Sequence, residues 1–305
     1  MANAFKTKLI DTLRQRFGEL RKVGDSQSLF NINNGAAFVY FRYSKVHPGG
    51  RTFFGLREMD LRLLEGHNSY ICFLLGDDSP PLFIPYADFE EVFRGAESAK
   101  DGQYKVQLSR RDALELYVAR QGRFNVEGYV GVRALERSLE GTHLRAQHAL
   151  SHSQVQTLLA GIGYMKGYEI RVPEADVSKL DWSLTKKFPV TQDVPPGFDQ
   201  VRHVLAEVDC VWIANGRNSV EGLFEVEHST PVYSGLLRFN DVLLANPKLS
   251  RFTIVSNEGR RALFSKQVFR PTFRKSGLAE LVSFLEYTNV FDWHQRLLTK
   301  AQGQV

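Results

Sequence analysis

The chain holds 305 residues, with 39 Lys and Arg against 34 Asp and Glu, a net charge of +5 and a pI near 9.1. A hydrophobic share of 43% and a charged share of 24% belong to a globular chain that can bury a full core, so disorder throughout is excluded and the length suits two domains. Cys72 and Cys210 sit in apolar, strand-like runs, which excludes a disulfide framework. The longest strongly apolar run, Ile71–Leu75, is far too short to span a bilayer. The N-terminal stretch carries no signal-type apolar block, so the expected location is the cytoplasm, with no membrane partner. A mild positive charge permits a polyanionic partner without requiring one.

Phe5, Leu9, Leu13, Phe17 and Leu20 recur at three- and four-residue steps between Lys and Arg, which predicts an amphipathic helix. Ser26–Gly35 ends it. Strand-like runs follow at Phe38–Tyr43, Arg51–Leu56, Tyr70–Leu75, Leu82–Pro85, Gln103–Leu108 and Leu114–Val118, with turn punctuation between them. Short helices are expected at Glu58–Leu64 and Ala87–Phe93. The stretch Leu135–Ser153 is polar and rich in His and Ser, and reads as an inter-domain connection in which His143, His148 and His152 are solvated. Beyond it come a helix at Gln154–Lys166, strands at Tyr168–Val172, Val208–Ala214 and Glu221–Glu227, a helix at Val232–Leu244 and a strand at Phe252–Ser256. Helix patterns at Gly259–Phe269 and Gly277–Tyr287 finish the chain. The expected class is α+β / α/β. A strand-rich α+β domain over residues 1–140 is followed by a linker at 141–152 and a second domain at 153–305 that opens α-β-β-β-α-β.

Two acids in that second domain stand out. Asp209 lies in the apolar run Val208-Asp-Cys-Val-Trp-Ile213, where a lone carboxylate is costly unless something binds it. Glu225 and Glu227 are two apart in Leu223-Phe-Glu-Val-Glu-His228, so on a strand they share a face. If the two strands are neighbours the three carboxylates converge, and a hard divalent cation such as Mg²⁺ prefers such oxygen ligands. The competing reading is ordinary: alternating acids also form the solvated face of an edge strand. No Cys cluster supports zinc, no Walker loop is present, and Gly161-x-Gly163 is helix punctuation.

Val208-Asp209, the run Phe224-Glu-Val-Glu-His-Ser-Thr230, the helix entry Val232-Tyr-Ser-Gly-Leu-Leu-Arg-Phe239 and the later Arg270-Pro-Thr-Phe273 resemble the PD-(D/E)XK nuclease superfamily, which holds most restriction endonucleases. The likeness is to a group with E-V-E-H followed by Ser or Thr, and it spans Ser153 to Tyr287. It implies a restriction-endonuclease-like core around a central mixed sheet. Asp209 and Glu225 would be the metal-binding acids, the Val226 carbonyl a further ligand, and Mg²⁺ the cofactor, with Mn²⁺ as a substitute. Glu227 stands where the family usually carries Lys, and would act as a general base or as a ligand to a second metal. Members often place an acid on the first core helix; here the nearest residues are Gln154 and Gln156, and Gln156 takes a supporting role. His228 points to the opposite strand face and is expected in the core.

Gly259–Lys275 carries Arg260, Arg261, Lys266, Arg270, Arg274 and Lys275 with no acid between them, a face that could track a DNA backbone. Ser229, Thr230, Tyr233 and Arg238 flank the acidic strand as phosphate-positioning donors. In the first domain, a β-hairpin presenting Arg42, Lys45 and Arg51 would dock on a DNA groove. The functional expectation is a metal-dependent DNA endonuclease of restriction or defence type, its N-terminal domain choosing the DNA. Duplex cutting favours a homodimer, and a cognate methyltransferase is a possible partner. The alternatives are a catalytically inactive DNA-binding protein that keeps the nuclease fold, and a repair or transposition nuclease acting on structured or single-stranded DNA.

Overall fold

A computed structural model describes residues 2–23, 26–76, 79–110, 113–141, 150–216, 219–228 and 231–302. The chain divides into two compact units, Met1–Arg145 and Ala146–Val305. Residues 142–149, most of the expected linker together with His143 and His148, lie outside the described residues. No described helix is long and apolar enough to cross a membrane.

The first unit opens with α1 (Ala2–Phe17). The helix stops where Gly18 takes a φ of +94°, a left-handed turn that glycine enters without strain. Leu20, expected on the helix stripe, therefore begins β1 (Leu20–Lys22) instead. There follow β2 (Leu29–Ile32), β3 (Ala37–Ser44), β4 (Arg51–Arg57), α2 (Glu58–Arg62), β5 (Ser69–Leu75), β6 (Leu82–Pro85), α3 (Tyr86–Arg94), β7 (Gln103–Arg110), β8 (Leu114–Val118), β9 (Gly122–Asn125) and α4 (Arg133–Gly141). They build two sheets, ordered β1-β2-β3-β5-β6 and β4-β7-β8-β9. Strand alternation divides the first sheet's side chains between two cores. Leu29, Tyr40, Ile71 and Phe73 join Phe54, Leu56, Val106 and Leu116 of the second sheet, while Phe30, Val39, Phe41 and Cys72 join Ile10 and Leu13 of α1.

The expected hairpin carrying Arg42, Lys45 and Arg51 is not formed. β3 is hydrogen-bonded on both sides, by β2 and by β5, so it has no free edge for β4, which pairs with β7 in the other sheet. A single bridge between His47 and Arg51 closes the turn between them. Arg42 lies over the Tyr40 ring at 5.4 Å, Lys45 is exposed in the turn, and Arg51 opens β4. The outer face of the second sheet is polar and aromatic: Phe53, Gln107, Tyr117 and Arg123 lie level across its four strands.

The second unit contains α5 (His152–Met165), β10 (Glu169–Arg171), α6 (Glu174–Val177), α7 (Arg202–Glu207), β11 (Cys210–Ile213), β12 (Val220–Val226), α8 (Val232–Ala245), β13 (Phe252–Ser256), α9 (Arg261–Val268), α10 (Pro271–Ser276), α11 (Leu278–Leu281), β14 (Val282–Glu286) and α12 (Tyr287–Gln302). The strands form one mixed sheet in chain order, antiparallel from β10 to β12 and parallel from β12 to β14. On one face Val211, Leu223, Ile254 and Phe284 pack with Leu236 and Phe239 of α8. On the other, Trp212, Phe224, Val255 and Leu285 pack with Leu159 of α5 and Trp293 of α12. The helix expected at Gly277–Tyr287 is corrected here: Leu278–Leu281 is helical, Val282–Glu286 is the strand β14, and Tyr287 opens α12. Phe284 and Leu285 enter opposite cores, a two-sided burial that only a strand between two helical layers can satisfy.

His294 of α12 is wholly buried, and neither ring nitrogen has a hydrogen-bond partner. Burial pushes its pKa from 6.5 down to about 4. Between those values the unfolded chain binds a proton that the native one refuses, so stability is full above about 6.5 and falls as pH drops toward 4. Replacing His294 by Leu should flatten that part of the stability–pH curve, as followed by urea unfolding at stepped pH.

Candidate active site

The acids gather where β11 begins and β12 ends. Cys210 pairs with Phe224 in the antiparallel ladder, which brings Asp209, one residue before β11, level with Glu225. Asp209 is 9% exposed, and its Oδ2 accepts the Val226 N–H at 2.7 Å. Glu225 and Glu227, at 0% and 1% exposure, are buried as deeply as any core residue. Both turn toward α8, and Gly235 makes room for them: a Cβ there would stand 2.7 Å from Glu227 Oε1 and 3.1 Å from Glu225 Cβ. The Gly235 N–H donates to the same Glu227 Oε1 at 3.2 Å, and Ser256 Oγ donates to the Glu227 carbonyl at 2.5 Å.

Arg238 enters from one turn further along α8. Its Nε donates to Glu225 Oε1 at 2.7 Å and its Nη2 to Oε2 at 2.6 Å, the two-pronged geometry that suits guanidinium and carboxylate. Burial pushes the Glu225 carboxyl up to about 8 against the pull of Arg238, and the charges of Asp209 and Glu227 add to the rise. The guanidinium is likewise held above its usual range, first by its hydrogen bonds to Glu225 and then by the charges of all three acids. Arg238, expected as a phosphate donor, is thus the counter-ion of the acidic cluster.

The remaining expected residues divide by position. Arg260 donates to the His228 carbonyl at 2.7 Å, beside the acidic strand. Arg261 is bound to Glu286 at the end of β14, both nearly buried. Lys266 is exposed, and Arg270 lies over the Tyr233 ring at 4.4 Å. Ser229 and Thr230 lie outside the described residues. His228 is exposed rather than in the core, its ring parallel to that of Tyr287 at 6.1 Å.

Two participants escaped the sequence reading. Ser151 caps α5 in a reciprocal pair with Gln154, which sets His152 at the first helical position, its Nε2 3.4 Å from Asp209 Oδ1. The hydrogen bond to Asp209 raises the His152 pKa above the ordinary imidazole range. The solvated assignment of His152 is therefore corrected. Asp176 of α6 completes a group in which His152, Asp176 and Asp209 each bring one ligand atom within 4.8 Å of the others. Gln156, wholly buried, donates through Nε2 to the Asp209 carbonyl at 2.8 Å and to Asp176 Oδ2 at 3.4 Å. The Ser-x-x-Gln cap was the one local signal pointing at His152; nothing in the spacing links it to Asp209.

The donor set bears on the Mg²⁺ expectation. Asp209 keeps Oδ1 on the His152 side, but both oxygens of Glu225 face Arg238. Among the described residues, the ligand atoms that converge within 4.8 Å are those of His152, Asp176 and Asp209.

Residues 135–301 match the family of the type II restriction enzyme NmeDI C-terminal domain. The chain belongs to this family. The type II restriction enzyme NmeDI of Neisseria meningitidis serogroup C is 29% identical over 132 residues, which are 40% of this chain and 37% of that relative. The aligned stretch is thus well under half of either protein. Every acid of the cluster, together with His152 and Arg238, lies within the part matched to the NmeDI C-terminal family.

Removing Arg238 alone should be expensive, because it strands a buried carboxylate. Arg238→Ala is expected to cost about 3–5 kcal/mol in urea unfolding. The double replacement Glu225→Met with Arg238→Leu should restore most of that stability, since an apolar pair of similar bulk has no charge to desolvate.

Proposed function

We propose that this protein is a metal-dependent endonuclease of restriction type that hydrolyses phosphodiester bonds in duplex DNA, with a PD-(D/E)XK-like second unit. The observation that carries this reading is the buried acidic cluster of Asp209, Glu225 and Glu227 at the end of the central strands, inside the segment matched to a restriction-enzyme domain. A cluster so buried, with two acids on one strand, costs folding energy that a purely structural site would avoid. When bound, a divalent ion supplies positive charge at the attacked phosphate.

The chain's own groups have separable tasks. Asp209, fixed by the Val226 N–H, holds its other oxygen toward His152. Glu227, oriented by the Gly235 N–H, is the carboxylate placed to take a proton from the attacking water. The Arg238 fork matches a phosphate as well as it matches Glu225, so an incoming DNA backbone competes for it. The exposed Lys266 and Arg270 extend the phosphate contacts. In the first unit, the outer face of the β4-β7-β8-β9 sheet, with Arg51, Phe53, Gln107, Tyr117 and Arg123, is the surface suited to reading DNA. Two cuts per duplex favour a homodimer, and a methyltransferase would protect the host's own sites.

One observation favours a second reading. Arg238 saturates Glu225, as it would in a DNA-binding protein that keeps the fold without cutting. Digestion of unmodified and methylated plasmid and phage DNA with Mg²⁺, Mn²⁺ or EDTA separates the two. Discrete metal-dependent bands are expected, with cleavage down about 10²–10⁴-fold in Asp209→ Asn-type replacement, namely D209N, which keeps the acceptor for Val226. Cleavage that survives in D209N would defeat the assignment, and intact DNA with a metal-indifferent gel shift would establish the binder.

A further inference from the structure

Three side chains from separate stretches meet beside the Glu225–Arg238 pair: His152 from the first turn of α5, Asp176 from α6 and Asp209 from the lead-in to β11. Their ligand atoms lie within 4.8 Å of one another, close enough for one small cation to touch all three. His152 is 38% exposed at its side chain, and Asp209 and Asp176 are 12% and 20% exposed. An ion could thus enter from solvent and be held in a partly desolvated place, where charge–charge attraction is stronger than in water.

The cluster has an interpretation that needs no ion. His152 faces Asp209 at 3.4 Å, and Lys179 reaches Asp176 Oδ1 at 2.7 Å, so each acid has a cation of its own. Gln156 speaks against this as the whole account. Its carboxamide is wholly buried and reaches into the cluster, with Nε2 on the Asp209 carbonyl and on Asp176 Oδ2, while its Oε1 has no hydrogen-bond partner. An unmet buried acceptor costs about 1–3 kcal/mol. Reversing the amide does not help, because it would set Oε1 against the Asp209 carbonyl, acceptor against acceptor. A water in the shell of a cation bound at the cluster is one donor that would meet this acceptor.

The donor types decide which cation. Mg²⁺ prefers an all-oxygen octahedron and keeps its waters. One imidazole nitrogen among carboxylates suits the borderline first-row ions. We infer that His152, Asp176 and Asp209 form a binding site for a divalent transition ion of the Mn²⁺ or Co²⁺ kind, taken in preference to Mg²⁺, with Gln156 Oε1 accepting from a water of its shell. His152 and Asp176 are then ligands that the acid-strand pattern does not contain. The functional meaning of the site rests on the nuclease reading, since Asp209 is common to both, but ion binding is measurable without DNA.

The test uses the full chain. Mn²⁺ binding is followed by electron paramagnetic resonance and Co²⁺ binding by visible absorption, each with Mg²⁺ as competitor. The proteins are wild type, His152→Ala, Asp176→Asn and His152→Asp, each checked for wild-type circular dichroism and Tm. Mn²⁺ and Co²⁺ affinities should fall about tenfold or more in His152→Ala and in Asp176→Asn. His152→Asp, which exchanges nitrogen for oxygen, should retain an ion but narrow the preference for Mn²⁺ over Mg²⁺, a change that a merely structural histidine would not produce. Equal affinities in all four proteins, or no binding by wild type, would overturn the site. Parallel duplex digestion keeps the two readings apart. Cleavage by wild type with ion binding unaffected in His152→Ala and Asp176→Asn defeats this site and leaves the nuclease standing. Ion binding lost in those variants, with no cleavage by any protein under any metal, supports the site and defeats the nuclease.

Discussion

Burial with no solvent exposure drives the Glu225 carboxyl toward its neutral form, and the Arg238 fork is the pull that opposes it. The strand places Glu225 inside the layer between sheet and α8, where its neighbours are Asp209 and Glu227. Without the guanidinium, three acids would share one poorly hydrated space, and the Glu225 carboxyl would rise further still. Much of the local architecture follows from meeting this demand. α8 must run close over β12, which Gly235 permits, and Arg238 must emerge from it one turn later, so that its fork reaches both oxygens of Glu225.

The mixed sheet explains why the demand arises at this end. β12 is the seam, antiparallel to β11 and parallel to β13. The start of β11 and the finish of β12 therefore share an edge, and the ends of β13 and β14 lie alongside it. Ser256 and Glu286, the last residues of those two strands, accordingly take part in the surroundings of the acids, through the Glu227 carbonyl and through Arg261. Loops leaving the carboxyl ends of parallel strands are free to vary without disturbing the ladder. The opposite faces, filled by Trp212, Phe224 and Trp293 on one side and Leu236 and Phe239 on the other, supply the rigidity that the acids need.

What could be read beforehand was the part governed by local pattern. Strands such as β3, β5 and β12 announce themselves by period-two or continuous apolar runs, and Glu225 and Glu227 share a face for the same reason. β14 was misread because Leu278, Leu281, Val282 and Leu285 also satisfy helical spacing, and only burial on two sides decides between the alternatives. The absent hairpin at Arg42–Arg51 is similar: a turn was visible, but the occupation of both edges of β3 was not. His152 and Asp176 failed for a different reason. Their contacts to Asp209 span dozens of residues, and a polar segment gives no hint of where the fold will carry it. Arg238 is legible as a basic residue beside an acidic strand, but its contact with Glu225 depends on α8 running close over β12, which no local pattern shows.

The long reach of those contacts has a consequence for how the protein comes into being. His152, Asp176, Asp209, Glu225 and Arg238 arrive from five separate elements or connections, and the sheet that gathers them depends on two parallel pairings, β12 with β13 and β13 with β14, each bridged by helical crossovers. Pairings of this kind close late, because loop entropy must be overcome before their contacts repay it. A chain still emerging or half folded holds the acids apart, each in water and none beside its partner. The assembled cluster therefore exists only once the five-stranded sheet of the second unit is complete.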